Sequence, residues 1–326
     1  MKVVLFDSSA HNGVDYAIQE KIFREAGIEF VVGDVKSKEE AKELCKDADG
    51  ALTIYWHVDG ELMDAMPNCR VLVRYGIGYD PIDVAEATKR GIAVCNVPDY
   101  CIEEVATHTM ALMLAVIRKL HIYHAKVREG IWVSNSDYPF HRVSTLTLGL
   151  VGFGNIARQT AEYAKAFGMS LIAYDPYVPD SVFEERGVEK VSLEELYSRA
   201  DVISLHVPLF DSTWHILNRE SFAKMKDGVM IVNTSRGPLI DADALMDAIE
   251  SGKVAAAGLD VIECEPIREK NHRIFDSGRV IMTSHIAYNS TEATISLFEK
   301  VAQSAVRVLQ GEMPYNVVNK KDLPAR

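Results

Sequence analysis

The chain has 326 residues, 48% apolar, 25% charged and 8% aromatic, with a formal net charge of −12 at pH 7. That length supplies two domains with a sizeable core each. No Lys/Arg cluster relieves the acidic balance, which argues against a nucleic-acid partner or an anionic membrane surface, and the longest apolar run, Met110 to Ile117, falls short of a membrane span.

The opening Met1–Asp7 segment reads as a first strand and is too short and too quickly acidic for a signal peptide. Strand-like runs then alternate with helical patterns, which predicts parallel sheets with crossover helices. The first set is Val3–Phe6, Glu29–Val32, Ala51–Ile54, Val71–Val73 and Ala93–Cys95, with helical patterns over Tyr16–Ala26 and Lys38–Cys45. It describes a five-stranded, flavodoxin-like unit ending near Pro98. A single long helical stretch is expected from Ile102 to about Lys126, followed by a loop with Trp132 and Pro139.

A second series begins at Leu146–Val151 and continues with Leu171–Tyr174, Val202–Leu205, Val229–Val232, Ala256–Leu259 and Val280–Thr283. One final helix is expected over Thr291 to Leu309. The fold class is thus α/β, with two doubly wound parallel-sheet domains. The expected division is 1–99 plus 290–326 for a discontinuous substrate domain and 100–289 for a Rossmann domain. The five cysteines (45, 69, 95, 101 and 264) form no CxxC pair, which is the pattern of reduced thiols in a cytoplasmic protein.

Gly152-Phe153-Gly154-Asn155-Ile156-Ala157 is a GxGxxA pattern placed directly after an apolar strand and at the start of a helical run. Gly152 permits a tight turn, Gly154 lets the backbone approach a pyrophosphate, and Ala157 lets helix and strand pack closely. The helix start adds N–H donors and a positive dipole end. Asp175 ends the next strand, where a carboxylate accepts bonds from ribose hydroxyls and repels a 2′-phosphate, so NAD is favoured over NADP. A glycine turn with a capping Asp is the plainer alternative, and the full strand–turn–helix–strand–acid order weighs against it. A second pair, Gly76-Ile77-Gly78, follows another strand. A plain βα turn and a loop that bares the N–H groups of Ile77 and Gly78 to a carboxylate both fit it.

Ligands of doubly wound sheets lie at the carboxyl ends of strands. There the second series delivers Arg236, then Asp260 with Glu265, then His285. Arg supplies a planar double donor for a 2-keto acid's carboxylate, and His exchanges a proton near neutral pH with a neighbouring carboxylate to hold it. Singly, each is explained as a solvated turn residue, a surface acid or a loop histidine; together, beside a dinucleotide motif, they match one chemistry. Tyr55-Trp56-His57 follows a strand of the first unit and would narrow a substrate pocket or simply pack. No Lys or Arg accompanies this loop in the sequence, so phosphorylated acids are expected to be poor substrates.

The stretches Gly152–Ala157, Asn233-Thr234-Ser235-Arg236-Gly237, Gly258–Pro266, His285-Ile286-Ala287, Arg74–Asp80 and Asn316–Asn319 resemble the D-isomer-specific 2-hydroxyacid dehydrogenases over nearly the whole chain. Gly91–Pro98 and Ala173–Tyr177 look most like the branch of the C-terminal-binding protein corepressors. The resemblance implies Arg236 as carboxylate anchor, His285 as acid/base and Glu265 as its partner. It implies NAD contacts from Ile77, Gly152, Gly154, Asn155, Ile156, Asp175, His206, Val207, Pro208, Thr213, Thr234, Ser235, Arg236, Asp260 and His285. Substrate contacts fall to Tyr55, Gly76, Ile77, Gly78, Arg236 and Tyr288. It also implies a cleft between domains and a homodimer, and hydride exchange between NAD(H) and C2 of a small 2-hydroxy or 2-keto acid. An NAD(H)-sensing interaction protein is the rival reading. The chain departs from the usual pattern at Pro81, Cys264 and Tyr288.

Overall fold

The computed structural model describes residues 1–11, 15–135, 139–268, 272–275 and 277–324. Contacts divide the chain into two compact units, Met1–Tyr100 with Ser290–Arg326, and Cys101–Asn289.

The first unit holds a parallel sheet of β1 (Lys2–Leu5), β2 (Glu29–Val32), β3 (Gly50–Thr53), β4 (Val71–Arg74) and β5 (Ala93–Cys95). Its order is β2-β1-β3-β4-β5, the flavodoxin-like arrangement. β1, β3, β4 and β5 are buried on both faces, as expected of strands covered by helices on each side. Helix Thr291–Leu309 returns across this sheet, its Leu297, Phe298 and Val301 joining Val73 and Cys95 in one core cluster. The helix starts where Ser290 Oγ accepts from the Ala293 N–H, a side-chain N-cap.

The second unit holds β6 (Thr147–Val151), β7 (Ser170–Tyr174), β8 (Glu189–Lys190), β9 (Val202–Leu205), β10 (Val229–Asn233), β11 (Val254–Leu259) and β12 (Val280–Met282). The order is β12-β11-β10-β9-β6-β7-β8, all parallel. Strand order reverses between β6 and β9, so ligands are expected at the carboxyl ends of that pair. The two-residue edge strand β8 has no signal in the sequence.

The expected long helix is two helices, Ile102–Arg118 and Leu120–Arg128, bent by 63°. Lys119 at the break adopts left-handed backbone, φ 58°, although no Pro or Gly marks it. Its side chain is fully buried, with Nζ 4.0 Å from the centroid of the Phe140 ring. A desolvated cation over an aromatic face contributes about 2 kcal/mol, enough to offset the roughly 1–2 kcal/mol cost of one left-handed residue. Among the described residues, no single helix is long and apolar enough to cross a membrane.

Candidate active site

The loop after β6 shows why its glycines are required. Gly152 has φ 94°, and a Cβ there would lie 2.8 Å from the carbonyl oxygen of His206, which follows β9. A Cβ on Gly154 would meet open space, so this surface is free for a close approach. Helix Asn155–Ala166 begins here, with Asn155 and Ile156 in its first turn and no side chain capping it. Ala157 is fully buried beneath it. The loop is held from β7: Asp175 Oδ2 accepts from the Phe153 N–H at 2.9 Å, and Oδ1 from the Tyr177 N–H at 2.9 Å. An open, uncapped helix start with a carboxylate one strand away is the donor and acceptor set that a dinucleotide needs.

His206, Val207 and Pro208 leave β9 beside this loop. The His206 N–H donates to Val151 O at 2.8 Å, and its Nε2 lies 2.9 Å from Ser204 Oγ. Burial pushes the His206 imidazole down to about 3. Thr213 Oγ1 donates to Pro208 O at 2.7 Å and accepts from the Phe210 N–H at 2.8 Å, which folds the following loop on itself.

This half-buried imidazole makes stability depend on pH. The unfolded ring takes a proton near pH 6.5 and the folded one does not until about 3, so stability is full above pH 6.5 and falls as pH drops below it. At pH 5 the loss from this one group is about 2 kcal/mol, at about 1.4 kcal/mol per pH unit. Urea midpoints of the parent should therefore fall more between pH 7 and pH 5 than those of His206→Asn. Parallel curves would show that this ring does not govern acid sensitivity.

After β10 come Thr234, Ser235 and Arg236. Asn233, fully buried, organises them: its Oδ1 accepts from the Ser235 N–H at 3.0 Å and its Nδ2 donates to Arg236 O at 2.8 Å. Ser235 Oγ donates to Leu205 O, and Thr234 Oγ1 pairs with Thr109 Oγ1 at 2.8 Å. Arg236 Nη1 donates to Ser235 O at 2.8 Å.

Asp260, at the end of β11, is 1% exposed. Its Oδ1 accepts from Thr283 Oγ1 at 2.5 Å and the Ile286 N–H at 3.0 Å, its Oδ2 from the Ala287 N–H at 2.9 Å, and its carbonyl from the His285 N–H at 2.8 Å. His108 Nε2 completes the group, 2.9 Å from Thr283 Oγ1. Asp260 thereby shapes the turn that carries His285, which has φ 56°. A residue held in left-handed backbone by so many bonds is characteristic of functional sites. His285 Nδ1 lies 3.2 Å from Glu265 Oε1, with both side chains part-exposed. Tyr288 is half-buried just beyond.

In the first unit, Gly76 has φ 142°, and a Cβ on it would lie 1.6 Å from Arg74 Nη1. The carbonyls of Gly76 and Ile77 accept from the Val97 N–H and Asn96 Nδ2. Among the described residues, no acceptor meets the N–H groups of Ile77 and Gly78. The Tyr55–His57 loop is held by Asp7, which the sequence did not single out. Its carboxylate accepts from the N–H groups of Ile54, Tyr55 and Trp56 at 2.9, 2.6 and 2.8 Å. Trp56 packs against the core of its unit, whereas Tyr55 is exposed. The expectation that no cation accompanies this loop is corrected: the Arg74 guanidinium lies 6.0 Å from the Tyr55 ring centroid, brought there by β3–β4 pairing.

Residues 110–287 match the family described as the NAD-binding domain of D-isomer specific 2-hydroxyacid dehydrogenases. Over 98% of its length the chain is 38% identical to a hydroxypyruvate reductase of Blautia hydrogenotrophica, all of which is covered. It is 41% identical over 93% of its length to a D-3-phosphoglycerate dehydrogenase of Methanocaldococcus jannaschii, spanning 58% of that protein. Among solved structures, a D-lactate dehydrogenase of Aquifex aeolicus complexed with NAD and lactic acid aligns with a TM-score of 0.83 and 31% identity, covering 95% of this chain and 96% of that one. The chain is a member of the D-isomer specific 2-hydroxyacid dehydrogenase family, and its second unit is an NAD-binding domain.

Proposed function

We propose that the protein interconverts a small D-2-hydroxy acid and its 2-keto acid. The observation that carries this reading is the His285–Glu265 pair at 3.2 Å, set at the carboxyl ends of strands in the same sheet as the glycine loop and Arg236. NAD(H), when bound, supplies or accepts the hydride at C2 of the acid. Gly152, Gly154, Asn155 and Ile156 receive its pyrophosphate, Asp175 a ribose, and the segment from His206 to Thr213, with Thr234 and Ser235, borders it. His285 gives a proton to the keto oxygen in reduction and takes it back in oxidation, with Glu265 holding the ring through Nδ1. Arg236 receives the carboxylate as a two-pronged donor. In the first unit, the Ile77 and Gly78 N–H groups offer a further pair of carboxylate donors, and Tyr55 and Tyr288 restrict the substrate's side chain. Asp260 serves the His285 turn first, since its carboxylate oxygens already accept three bonds.

The test is turnover of glyoxylate, pyruvate and hydroxypyruvate with NADH and with NADPH. NADH should be preferred by at least about tenfold in kcat/KM, because a 2′-phosphate beside the Asp175 carboxylate costs on the order of 1–4 kcal/mol. Equal use of both cofactors would remove the role of Asp175, and no turnover of any acid would overturn the reading.

The active protein is proposed to be a cytoplasmic homodimer. Supporting this, helix Leu120–Arg128 buries none of its residues, and Leu120, Val127, Ile131, Val133 and Phe140 are exposed together with Trp132, which is 88% exposed. Such an apolar patch is characteristic of an interface. Trp132→Glu with Val127→Glu should shift the sedimentation coefficient from dimer to monomer; an unchanged value would move the interface elsewhere. Among the described residues no disulfide joins any of the five cysteines, four of which are buried, in keeping with a reducing compartment.

A further inference from the structure

Three successive residues between β11 and β12 each face a different histidine. Glu263 Oε1 lies 2.7 Å from His215 Nε2, Cys264 Sγ 3.5 Å from His272 Nε2, and Glu265 Oε1 3.2 Å from His285 Nδ1. They occupy one turn, closed by the Glu265 N–H donating to Ile262 O at 3.2 Å, with Glu263 and Cys264 at its centre. We propose that His215 and Glu263 are positioning residues that hold this turn, and so hold Glu265 against His285. The proposal rests on the acid/base reading of that pair.

The turn has two footholds. On one side its backbone lies directly on the segment after Arg236: a Cβ on Gly237 would be 2.0 Å from the carbonyl carbon of Ile262 and 2.5 Å from the Glu263 nitrogen. On the other side Glu263 grips His215. That imidazole is itself fixed, with left-handed backbone at φ 48°. The His215 N–H donates to Pro238 O at 2.9 Å, Asn218 Nδ2 donates to His215 O at 2.9 Å, and the Trp214 ring lies 4.9 Å away at 30°. The tether therefore links the loop after β9, the loop after β10 and the turn after β11.

The two contacts differ in length. Charge-assisted N–H···O bonds run at about 2.7–2.9 Å. Glu263–His215 sits at that distance, whereas Glu265–His285 is already longer. With Glu263 released, a shift of a few tenths of an ångström in the turn suffices to break the Glu265–His285 contact. The groups facing the turn are His215, His272 and His285, with the Asp260 carboxylate behind the His285 turn.

The experiment places Glu263→Ala, Glu263→Gln and His215→Asn in the parent and in Glu265→Ala; Asn suits left-handed backbone. Steady-state constants, pH profiles, NADH dissociation constants and melting curves are measured for each. In the parent, Glu263→Ala and His215→Asn should lower kcat roughly 5- to 50-fold, the scale of a small misplacement of a catalytic group. KM and NADH affinity should stay within about twofold, the split expected when a catalytic group is misplaced and binding is not. Glu263→Gln, which still accepts from His215, should keep most of the activity. In Glu265→Ala, which removes the acceptor, the same substitutions should cost under about twofold, because the contact they protect is gone. A full additional loss in that background, or parent-like kcat in folded Glu263→Ala and His215→Asn, would overturn the proposal. Parent-like kcat in folded Glu265→Ala alone would instead overturn the acid/base reading beneath it.

Discussion

Replacing His285 with Gln should lower kcat for keto-acid reduction by roughly 10²- to 10⁴-fold, the contribution of a positioned proton donor. Gln can still donate a hydrogen bond to the keto oxygen, but it has no proton to transfer. Tight NADH binding should persist, since the glycine loop and Asp175 belong to other strands of the sheet. The residual activity should also lose the alkaline limb of the parent's pH profile. Stopped-flow reduction with excess NADH measures the chemical step directly. A Gln variant within tenfold of the parent would show that another group moves the proton. The Glu265→Gln enzyme should show the milder form of the same defect.

Arg236→Lys should cost about 10- to 150-fold in kcat/KM for the keto acid. The charge survives, but one charge-assisted hydrogen bond of about 1.5–3 kcal/mol is lost with the planar fork. The loop itself should remain folded, because the buried Asn233 side chain holds its backbone at two points, and the guanidinium adds only its bond to Ser235 O. The loss should fall mainly on the keto acid's constants, with NADH affinity within a few-fold. Arg236→Lys within twofold of the parent would end the anchor assignment. The same measurements on phosphorylated and unphosphorylated acids bear on Arg74. Its guanidinium beside Tyr55 removes the argument that this loop lacks a cation, so rejection of phosphorylated acids no longer follows from the loop's charge.

Much of the fold is legible in the chain because burial leaves a periodic trace. Helices Lys38–Cys45 and Thr291–Leu309 have the bounds their patterns predict, each capped by a serine directly before it. The parallel sheets follow from apolar runs alternating with helices, and the glycine loop from residues adjacent in sequence. The pairing of Glu265 with His285 was foreseeable for a related reason: both lie just past neighbouring strands of one sheet, whose ends must converge.

What only the tertiary structure decided are contacts between residues with no local mark. Lys119 breaks a helix that its neighbours would continue, and its ammonium lies over the Phe140 ring. Asp7 holds a loop nearly fifty residues away through three backbone N–H groups, and Asp260 turns its carboxylate toward the His285 turn. Arg74 reaches Tyr55 only because β3 and β4 pair in register. His215 and Glu263 were invisible for the same reason. The sequence by itself determined which segments are strands and helices and which polar residues stand at strand ends, since apolar periodicity and strand-end position are local properties. The partners of buried carboxylates and cations were decided by the packed fold, because a charge removed from water takes whichever donors the finished fold brings within about 3 Å.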